Sequence, residues 1–459
     1  MPLTRPWWHD PRPGTQTERP RRRPGPATLG GVPSTALFTD RYELTMLASA
    51  LRDHSATRTC VFETFARRLP TGRRYGVVAG TGRLVEAIES FRFGPDELAV
   101  LAESGLDADT LDWLADWRFT GDVDGYPEGE LWFPNSPVLT VTGTFGEAVL
   151  LETLSLSVLN HDCAIASAGS RMVTAAAGRP LIEMGSRRTH EEAAVAAARA
   201  AYIAGFSSTS NLEAGRRYRV PTSGTAAHAF TLLHDSEADA FRAQLDALGT
   251  GTTLLVDTYD IARGIRTAIE VAGPSLGAIR IDSGDLTVLA REARELLDSL
   301  GAAGTKIILS GDLDEFAIAG LSGAPVDVYG VGTALVTGSG APTASMVYKL
   351  VEVDGRPVAK RSEHKATHGG RKTALRRHRA TGTATEEVLV SRGRPELGPH
   401  DRLLQVPLMR GGKRVESDAT DMGAARARLT AALRSVPWEG LKLSQGEPAL
   451  PTVLLEGAR

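Results

Sequence analysis

Lysine is absent from the first 305 residues of this sequence, in which arginine carries the positive charge. The first lysine is Lys306. A phosphate-binding loop of the GxxxxGK[ST] type therefore cannot lie before that residue, because such a loop needs its lysine beside the phosphates. A catalytic lysine that forms a Schiff base would also have to be Lys306 or a later residue.

Cysteine, an excess of one charge and long apolar runs are also scarce. Cys60 and Cys163 are the only cysteines and match no zinc-binding spacing, so we expect neither a disulfide framework nor a zinc site. The net charge of -3 provides no broad basic field for nucleic acid or an anionic membrane. No apolar stretch reaches the roughly 18 residues of a membrane-spanning helix, and no secretory signal is visible. These absences predict a cytoplasmic protein without nucleic-acid or membrane partners.

Composition divides the chain into four parts. Residues 1–33 hold eight of the 25 prolines and a run of three arginines, which predicts a disordered basic tail. Mixed helix and strand patterns in residues 34–138 indicate a separate N-terminal domain of α and β structure. In residues 139–345, short apolar runs alternate with Ala-rich helical periods, which is typical of βα units around a parallel sheet. Residues 346–459 are basic and strand-like, and we expect them to pack back on the N-terminal domain.

The short repeat in the third part favours an irregular α/β barrel over a wide open sheet. Strands are predicted at residues 180–184, 253–256, 278–281, 306–309 and 326–329. Helices are predicted at residues 191–204, 237–248, 261–271, 286–300 and 313–321. In the N-terminal part, residues 40–51 and 95–117 have helical periods and residues 59–65 alternate like a strand.

Polar residues follow nearly every predicted strand of the barrel. In parallel α/β folds, ligands bind at the carboxyl ends of the strands, where these loops converge. The loops are Gly185-Ser186-Arg187-Arg188, Thr222-Ser223-Gly224-Thr225 with His228, Asp257, Asp282-Ser283-Gly284-Asp285, Ser310-Gly311-Asp312 and Gly330-Val331-Gly332-Thr333. Glycine in such loops lets backbone amides approach a phosphate, which predicts a phosphate cradle without lysine. Turns and helix caps are the better explanation of any one loop alone, and the occurrence of three such loops at successive strand ends favours a phosphorylated ligand.

Several side chains in these loops are candidates for chemistry. Arg187 and Arg280 suit bidentate binding of a carboxylate or phosphate. Asp257 and Asp282 could bind sugar hydroxyls or waters around a divalent cation, or cap helices. His228 is a candidate nucleophile or acid/base, although an isolated histidine is more often a structural hydrogen-bonding group. A metal site at His364 and His368 is not expected, because no helical pattern or third ligand accompanies them.

Six motifs occur in an order that is very specific. They are Thr39-Asp40-Arg41-Tyr42-Glu43-Leu44-Thr45-Met46, Glu183-Met184-Gly185-Ser186-Arg187-Arg188, Gly224-Thr225-Ala226-Ala227-His228, Asp282-Ser283-Gly284-Asp285, Ser310-Gly311-Asp312 and Gly330-Val331-Gly332-Thr333. From about residue 36 to 408 the sequence resembles the nicotinate phosphoribosyltransferases, which are type II phosphoribosyltransferases. The resemblance implies an irregular parallel α/β barrel beside an N-terminal α/β sandwich that includes C-terminal segments. It also implies a homodimer with sites at the interface, and ATP-stimulated synthesis of nicotinate mononucleotide from nicotinate and phosphoribosyl pyrophosphate.

The resemblance assigns expected roles to single residues. His228 would be phosphorylated by ATP, and Tyr42 would stack on the pyridine ring from the partner subunit. Ser186 and Arg187 would face the ring carboxylate. The other expected catalytic and substrate-binding residues match the ribose, pyrophosphate and 5′-phosphate regions, and they are Thr225, Asp257, Arg280, Asp282, Ser283, Gly311, Asp312, Gly332 and Thr333. Mg²⁺ would be held mainly through diphosphate and water, with no direct protein ligand.

Two departures from the family pattern bear on the choice of substrate. Met184 stands where relatives often have an aromatic residue that sandwiches the ring, so stacking would depend on Tyr42. Relatives that use nicotinamide have an aspartate within the stretch Thr209-Ser210-Asn211, and its absence favours the acid over the amide.

Three alternatives remain open from the sequence. The first is a nicotinamide phosphoribosyltransferase. The second is a phosphosugar isomerase or aldolase, which would need a lysine or glutamate at a strand end, whereas Lys306 opens its strand. The third is a nucleotide-binding regulator built on an inactive barrel, against which the complete set of polar strand ends argues.

Overall fold

The structure is a computed structural model that describes residues 34–360, 368–391, 393 and 395–456. The predicted tail at 1–33 and His364 lie outside the described residues.

The N-terminal part contains short helices and strands. Its helices are α1 (Arg41–Arg52), α2 (Thr81–Glu89), α3 (Pro95–Glu103), α4 (Ala108–Asp116) and α5 (Phe145–Val149), with a 3-10 helix at Ser55–Thr57. Its strands are β1 (Thr59–Ala66), β2 (Gly76–Val77), β3 (Asp122–Gly125), β4 (Leu131–Trp132) and β5 (Leu139–Thr144). The helical period predicted over 95–117 is divided into α3 and α4, because Gly105 has a φ of +89°, far from helical values.

The central part alternates strands and helices as predicted. Its strands are β6 (Leu181–Glu183), β7 (Ser208–Thr209), β8 (Thr253–Leu255), β9 (Ala278–Ile281), β10 (Lys306–Leu309) and β11 (Val328–Val331). Its helices are α6 (Glu152–Ala175), α7 (Glu191–Ala204), α8 (Leu212–Tyr218), α9 (His228–Leu232), α10 (Glu237–Leu248), α11 (Ile261–Ala272), α12 (Leu286–Ser299), α13 (Glu315–Gly320) and α14 (Thr333–Val336). Strand β11 begins two residues later than predicted, because Asp327 binds the Ile307 amide through its side chain instead of its backbone carbonyl (2.8 Å).

The C-terminal part is mostly strand. Its strands are β12 (Met346–Val353), β13 (Arg356–Pro357), β14 (Lys372–His378), β15 (Ala384–Ser391), β16 (Arg402–Leu403), β17 (Val406–Arg410), β18 (Lys413–Arg414) and β19 (Thr452–Glu456). Its helical segments are α15 (Met422–Ser435) and 3-10 helices at Asp418–Thr420 and Trp438–Leu441.

The six central strands form one parallel sheet in the order β7-β6-β11-β10-β9-β8. The sheet curves as a half-barrel, which confirms the predicted α/β barrel class. Because all strands run in the same direction, their carboxyl ends and the loops that follow meet along one edge.

A seven-stranded sheet combines both ends of the chain, in the order β13-β12-β1-β5-β3-β17-β18. Its pairings between neighbours are antiparallel. The predicted N-terminal sandwich with C-terminal segments is therefore confirmed. Strand β5 lies in this sheet although the sequence places residue 139 at the start of the barrel. Its alternation of Leu139 and Val141 with threonines suits a half-buried antiparallel strand instead of a fully buried parallel one. The four-part division of the chain stays a prediction.

Helix α6 is shared by the two main buried clusters. Leu154 and Leu159, near its start, pack with the seven-stranded sheet, whereas Ile165 and Met172 pack with the barrel strands. Among the described residues, the helical stretch Phe145–Ala175 is long and apolar enough to cross a membrane, but 67% of its apolar window is buried inside the protein. A core helix accounts for both its length and its composition.

Candidate functional site

A polar pocket of about 460 Å³ lies at the carboxyl ends of the barrel strands. The loops after β6, β9, β10 and β11 form it together with residues 224–227. It is lined by Met184, Ser186, Arg187, Arg188, Ser210, Gly224, Thr225, Ala226, Ala227, Arg280, Asp282, Ser310, Gly311, Asp312, Gly330, Gly332 and Thr333. The structure therefore brings nine of the thirteen residues predicted for the site to one cavity.

Arg280 links three of the loops around the pocket. Its Nε donates to Ser310 Oγ (2.7 Å), its Nη1 to Thr225 Oγ1 (2.9 Å) and its Nη2 to Asp282 Oδ1 (2.9 Å). The Arg280 side chain is only 12% exposed. The Arg280 guanidinium, which lies in an otherwise apolar strand, therefore has three hydrogen-bond partners. Because the guanidinium is planar, it fixes the relative positions of the three loops that carry them.

Asp282 is held as a carboxylate beside Arg280. Burial alone would raise its pKa, but the hydrogen bond from Ser310 (2.5 Å) and the charge of Arg280 outweigh burial and lower the pKa below its usual value. The pocket thus contains a fixed ion pair of one cation and one anion, both able to contact a polar ligand.

Asp257 and His228 adjoin the pocket behind this ion pair. Asp257 Oδ2 accepts hydrogen bonds from the Asp282 amide (2.8 Å) and from Ser283 Oγ (3.1 Å). His228, the first residue of α9, has Nδ1 3.1 Å from Thr258 Oγ1 and Nε2 4.0 Å from Asp257 Oδ1. The imidazole is 42% exposed, so it is open to a ligand while one of its nitrogens is oriented by a neighbouring hydroxyl.

The two glycine loops approach the pocket with their backbone. Gly311 has a φ of +110°, and a Cβ at this position would lie 2.2 Å from the Asp282 carbonyl oxygen. A Cβ on Gly330 would lie 2.8 Å from Met184 Sδ. Glycine is therefore required at residue 311 by backbone packing and by its positive φ, whereas a Cβ at residue 330 would have to displace the flexible Met184 side chain. The Met184 side chain lines the pocket.

A hydrogen-bonded network supports Ser186 from behind. The Glu183 carboxylate accepts from the Gly185 amide and from Thr209 Oγ1, and burial raises the pKa of Glu183. Asn211 Nδ2 donates to Ser186 Oγ (3.0 Å). Arg187 lies beside Ser186 in the pocket wall and forms no ion pair within the described part of the chain.

Tyr42 lies on α1, outside the pocket of its own chain. Its side chain is 44% exposed, and the nearby Leu37 and Phe38 are exposed as well. Burial of the hydroxyl and the adjacent carboxylates raise the pKa of Tyr42. Its predicted contact with the pyridine ring across a subunit interface stays a prediction.

The carboxylates fit the magnesium ion that the resemblance implies. Across residues 34–360, 368–391 and 395–456, no group of three or more metal-binding side chains is present. Asp257 Oδ1, however, is buried without a hydrogen-bond partner among the described residues. A single such oxygen suits Mg²⁺, which usually keeps several waters and is bound by one or two carboxylates together with substrate phosphates.

Sequence reasoning missed several residues that shape the site. Ser310 was recognised as part of a loop motif but not as the shared partner of Arg280 and Asp282. Thr258 orients His228 and directly follows a predicted strand-end aspartate, which is a signal that could have found it. Glu183 and Ser210 carry no such signal, because their roles depend on pairing between strands β6 and β7.

A barrel mouth lined by arginines, hydroxyls and glycine loops is typical of proteins that bind a phosphorylated ligand at the ends of parallel strands. Residues 37–160 match the family model of the nicotinate phosphoribosyltransferase (NAPRTase) N-terminal domain. The chain is 65% identical over 426 residues to the nicotinate phosphoribosyltransferase pncB1 of Mycobacterium tuberculosis, covering 91% of this chain and 94% of that protein. It is 40% identical to the nicotinate phosphoribosyltransferase of Bacillus subtilis, covering 75% and 73% of the two chains. The chain therefore belongs to the nicotinate phosphoribosyltransferase family.

Solved structures agree with this assignment. The crystal structure of human nicotinic acid phosphoribosyltransferase superposes with a TM-score of 0.80 at 26% identity, over 91% of this chain and 97% of that one. The nicotinate-nucleotide pyrophosphorylase of Pyrococcus furiosus shares the fold with a TM-score of 0.73 at 24% identity. The family and fold predicted from the six sequence motifs are confirmed.

Proposed function

We propose that this protein is a nicotinate phosphoribosyltransferase. It joins nicotinate to the ribose of phosphoribosyl pyrophosphate and releases pyrophosphate, while ATP is hydrolysed to ADP and phosphate. The product, nicotinate mononucleotide, is the first intermediate of NAD synthesis from nicotinate. The observation that supports this function most directly is one cavity that combines the Ser186–Arg187 wall with the glycine loops at residues 311 and 332.

The site suits displacement at an anomeric carbon. This reaction passes through a cationic, oxocarbenium-like state, so the protein has to position two anions and stabilise the departing pyrophosphate. Arg280 would contact the anionic leaving group, and Asp282 would lie near the ribose. The amides of Gly311, Asp312 and Gly332 would hold the 5′-phosphate. Magnesium, when bound, would neutralise charge on the diphosphate.

His228 is the residue we propose for coupling to ATP. Transfer of the γ-phosphoryl group to an imidazole nitrogen would release ADP, and water would later hydrolyse the phosphohistidine to free phosphate. The exposed ring and its hydrogen bond to Thr258 support this role. A phosphate at this position would add negative charge beside Asp257 and thereby alter the loops around the pocket.

We further propose a cytoplasmic homodimer in which Tyr42 completes the partner's site. The exposed apolar side chains of Leu37 and Phe38 near Tyr42 support a contact surface at this end of α1. The test is co-expression of Tyr42→Ala and Arg280→Met chains, assayed at a phosphoribosyl pyrophosphate concentration at which each variant alone has little activity. Mixed dimers should regain up to half of the parent activity, because one of their two sites is intact. No recovery in isolated mixed dimers would refute a shared site.

The reaction is tested by incubating the protein and phosphoribosyl pyrophosphate with nicotinate, nicotinamide or quinolinate, with and without Mg-ATP. We expect nicotinate mononucleotide as the main product, in larger amounts with ATP. Faster turnover of nicotinamide would overturn the choice of substrate. If no base gave a product, the phosphosugar isomerase or aldolase would become the better explanation. The position of Lys306 at the amino end of β10 does not favour that alternative.

The role of His228 has a matched control in the same segment. His228→Ala should abolish ATP stimulation and the acid-labile label from γ-labelled ATP. His234→Ala should retain both, because His234 Nδ1 bonds the Phe230 carbonyl oxygen within its own segment (2.8 Å), whereas His228 contacts Thr258 and Asp257 beside the pocket. Labelling that survives in the His228 variant would discard the phosphohistidine and leave the transferase reaction in place.

A further inference from the structure

The hydrogen bonds behind Ser186 all have a defined direction. Thr209 Oγ1 donates its only hydrogen to Glu183 and accepts from the Asn211 backbone amide (3.0 Å). The Gly185 amide donates to the other Glu183 oxygen. The Thr209 hydroxyl hydrogen and the Gly185 amide hydrogen therefore both point toward Glu183. The Glu183 carboxylate is the final acceptor of this network.

The side-chain amide of Asn211 donates in the other direction, toward Ser186 at the pocket surface. It caps α8, and its Oδ1 accepts from the Ala214 amide (2.8 Å). The oxygen is thus committed to the helix, so the nitrogen is the atom that faces Ser186 Oγ at 3.0 Å. An amide nitrogen of asparagine can only donate, so it occupies a lone pair of the Ser186 hydroxyl.

The Ser186 hydroxyl therefore keeps its hydrogen for the pocket. It donates to no acceptor among the described residues, and Ser186 lines the cavity beside Arg187. Both groups are hydrogen-bond donors. A ring carboxylate, which only accepts, satisfies such a wall, whereas a ring carboxamide would present its own N–H donors to it.

We propose that Asn211 is a positioning residue that selects a pyridine carboxylate over a pyridine carboxamide by orienting the Ser186 hydroxyl. This inference deepens the proposed function and rests on it for the place of the pyridine ring. Asn211 would act without touching the substrate, through one hydrogen bond whose direction is fixed by its capping of α8.

The decisive variant is Asn211→Ser, because serine also caps helices well but lacks the amide donor and adds no charge. The ratio of kcat/KM for nicotinate to that for nicotinamide should fall about threefold to tenfold, mainly through KM for nicotinate. Asn211→Asp, which retains a cap and converts the donor into an acceptor, should lower the ratio at least tenfold. Asp421→Ser, a cap change on the distant helix α15, should leave the ratio unchanged.

A double-mutant comparison separates orientation from simple structural damage. In a Ser186→Ala background the Asn211→Ser change should have no further effect on the ratio, because the hydroxyl it orients is gone. An equal effect in both backgrounds, or an unchanged ratio in a normally folded Asn211→Ser protein, would overturn the proposal. Thermal unfolding of each variant reports whether the cap is retained.

Binding measurements distinguish failure of this inference from failure of the proposed reaction. Nicotinate and nicotinamide are titrated calorimetrically into the parent and the variants. A parent that forms no nucleotide but binds nicotinate more tightly, with a preference lost in Asn211→Ser, would refute the reaction alone. A parent that binds neither base would overturn both.

Discussion

Replacing Glu315 by glutamine is expected to destabilise the protein by about 3–5 kcal/mol, the cost of breaking a buried ion pair by removing one partner. Glu315 Oε1 accepts from Arg73 Nη1 (2.8 Å) and Arg171 Nε (3.0 Å), and Oε2 accepts from Ser339 Oγ (2.5 Å). The three charged side chains are at most 4% exposed. Glutamine preserves volume but leaves two guanidinium charges buried without a counter-charge.

A surface cluster of the same composition provides the control. Glu213 also accepts from two arginines, Arg216 and Arg217, but these side chains are exposed. Glu213→Gln should therefore hardly change the unfolding midpoint, because exposed ion pairs are screened by solvent. Urea unfolding followed by far-UV circular dichroism measures both variants. The reasoning fails if the Glu315 variant unfolds like the parent, or if both variants lose the same stability.

Three further changes have defined outcomes. Burial raises the pKa of Glu43 to about 7, so the folded chain holds a proton that the unfolded chain releases at its ordinary lower pKa, and stability should fall as pH rises from about 5 to 7. Glu43→Gln should remove that slope in urea unfolding series, and an unchanged slope would contradict this assignment. Burial raises the pKa of the Cys60 thiol to about 11, so iodoacetamide at pH 8 should alkylate it slowly in the folded protein and quickly in urea; equal rates would argue against burial. Arg280→Met should raise KM for phosphoribosyl pyrophosphate about tenfold to a hundredfold, since hydrogen bonds to charged groups contribute about 1.5–3 kcal/mol, and an unchanged KM would remove Arg280 from the anion site.

The barrel and its polar edge could be predicted because their signals are local. An apolar run followed at once by a polar residue, with a glycine within three positions, marks a buried strand and the loop at its carboxyl end, as at Ile281 and Leu309. The parallel arrangement then brings such loops together without any knowledge of side-chain contacts. Nine residues predicted for the site line one pocket for this reason.

Other features depend on contacts between distant segments and left no local signal. The change of pattern at residue 139 places β5 in the barrel part of the chain, whereas its neighbours in the sheet are β1 and β3. The support of Ser186 by Asn211 crosses from the loop after β6 to the start of α8. Tyr42 lies outside the pocket of its own chain, so its proposed contact with the ring depends on a second subunit.

The position of β1 in the middle of the seven-stranded sheet has a consequence for synthesis on the ribosome. Strand β1 pairs on one side with β5 and on the other with β12, which ends at Val353. At about 5–20 residues per second, roughly 15 to 60 seconds separate the emergence of β1 from that of β12. During this interval one edge of β1 has no native partner and can pair with other nascent chains. Co-expressed chaperones should therefore increase the soluble yield by protecting this edge until translation reaches β12.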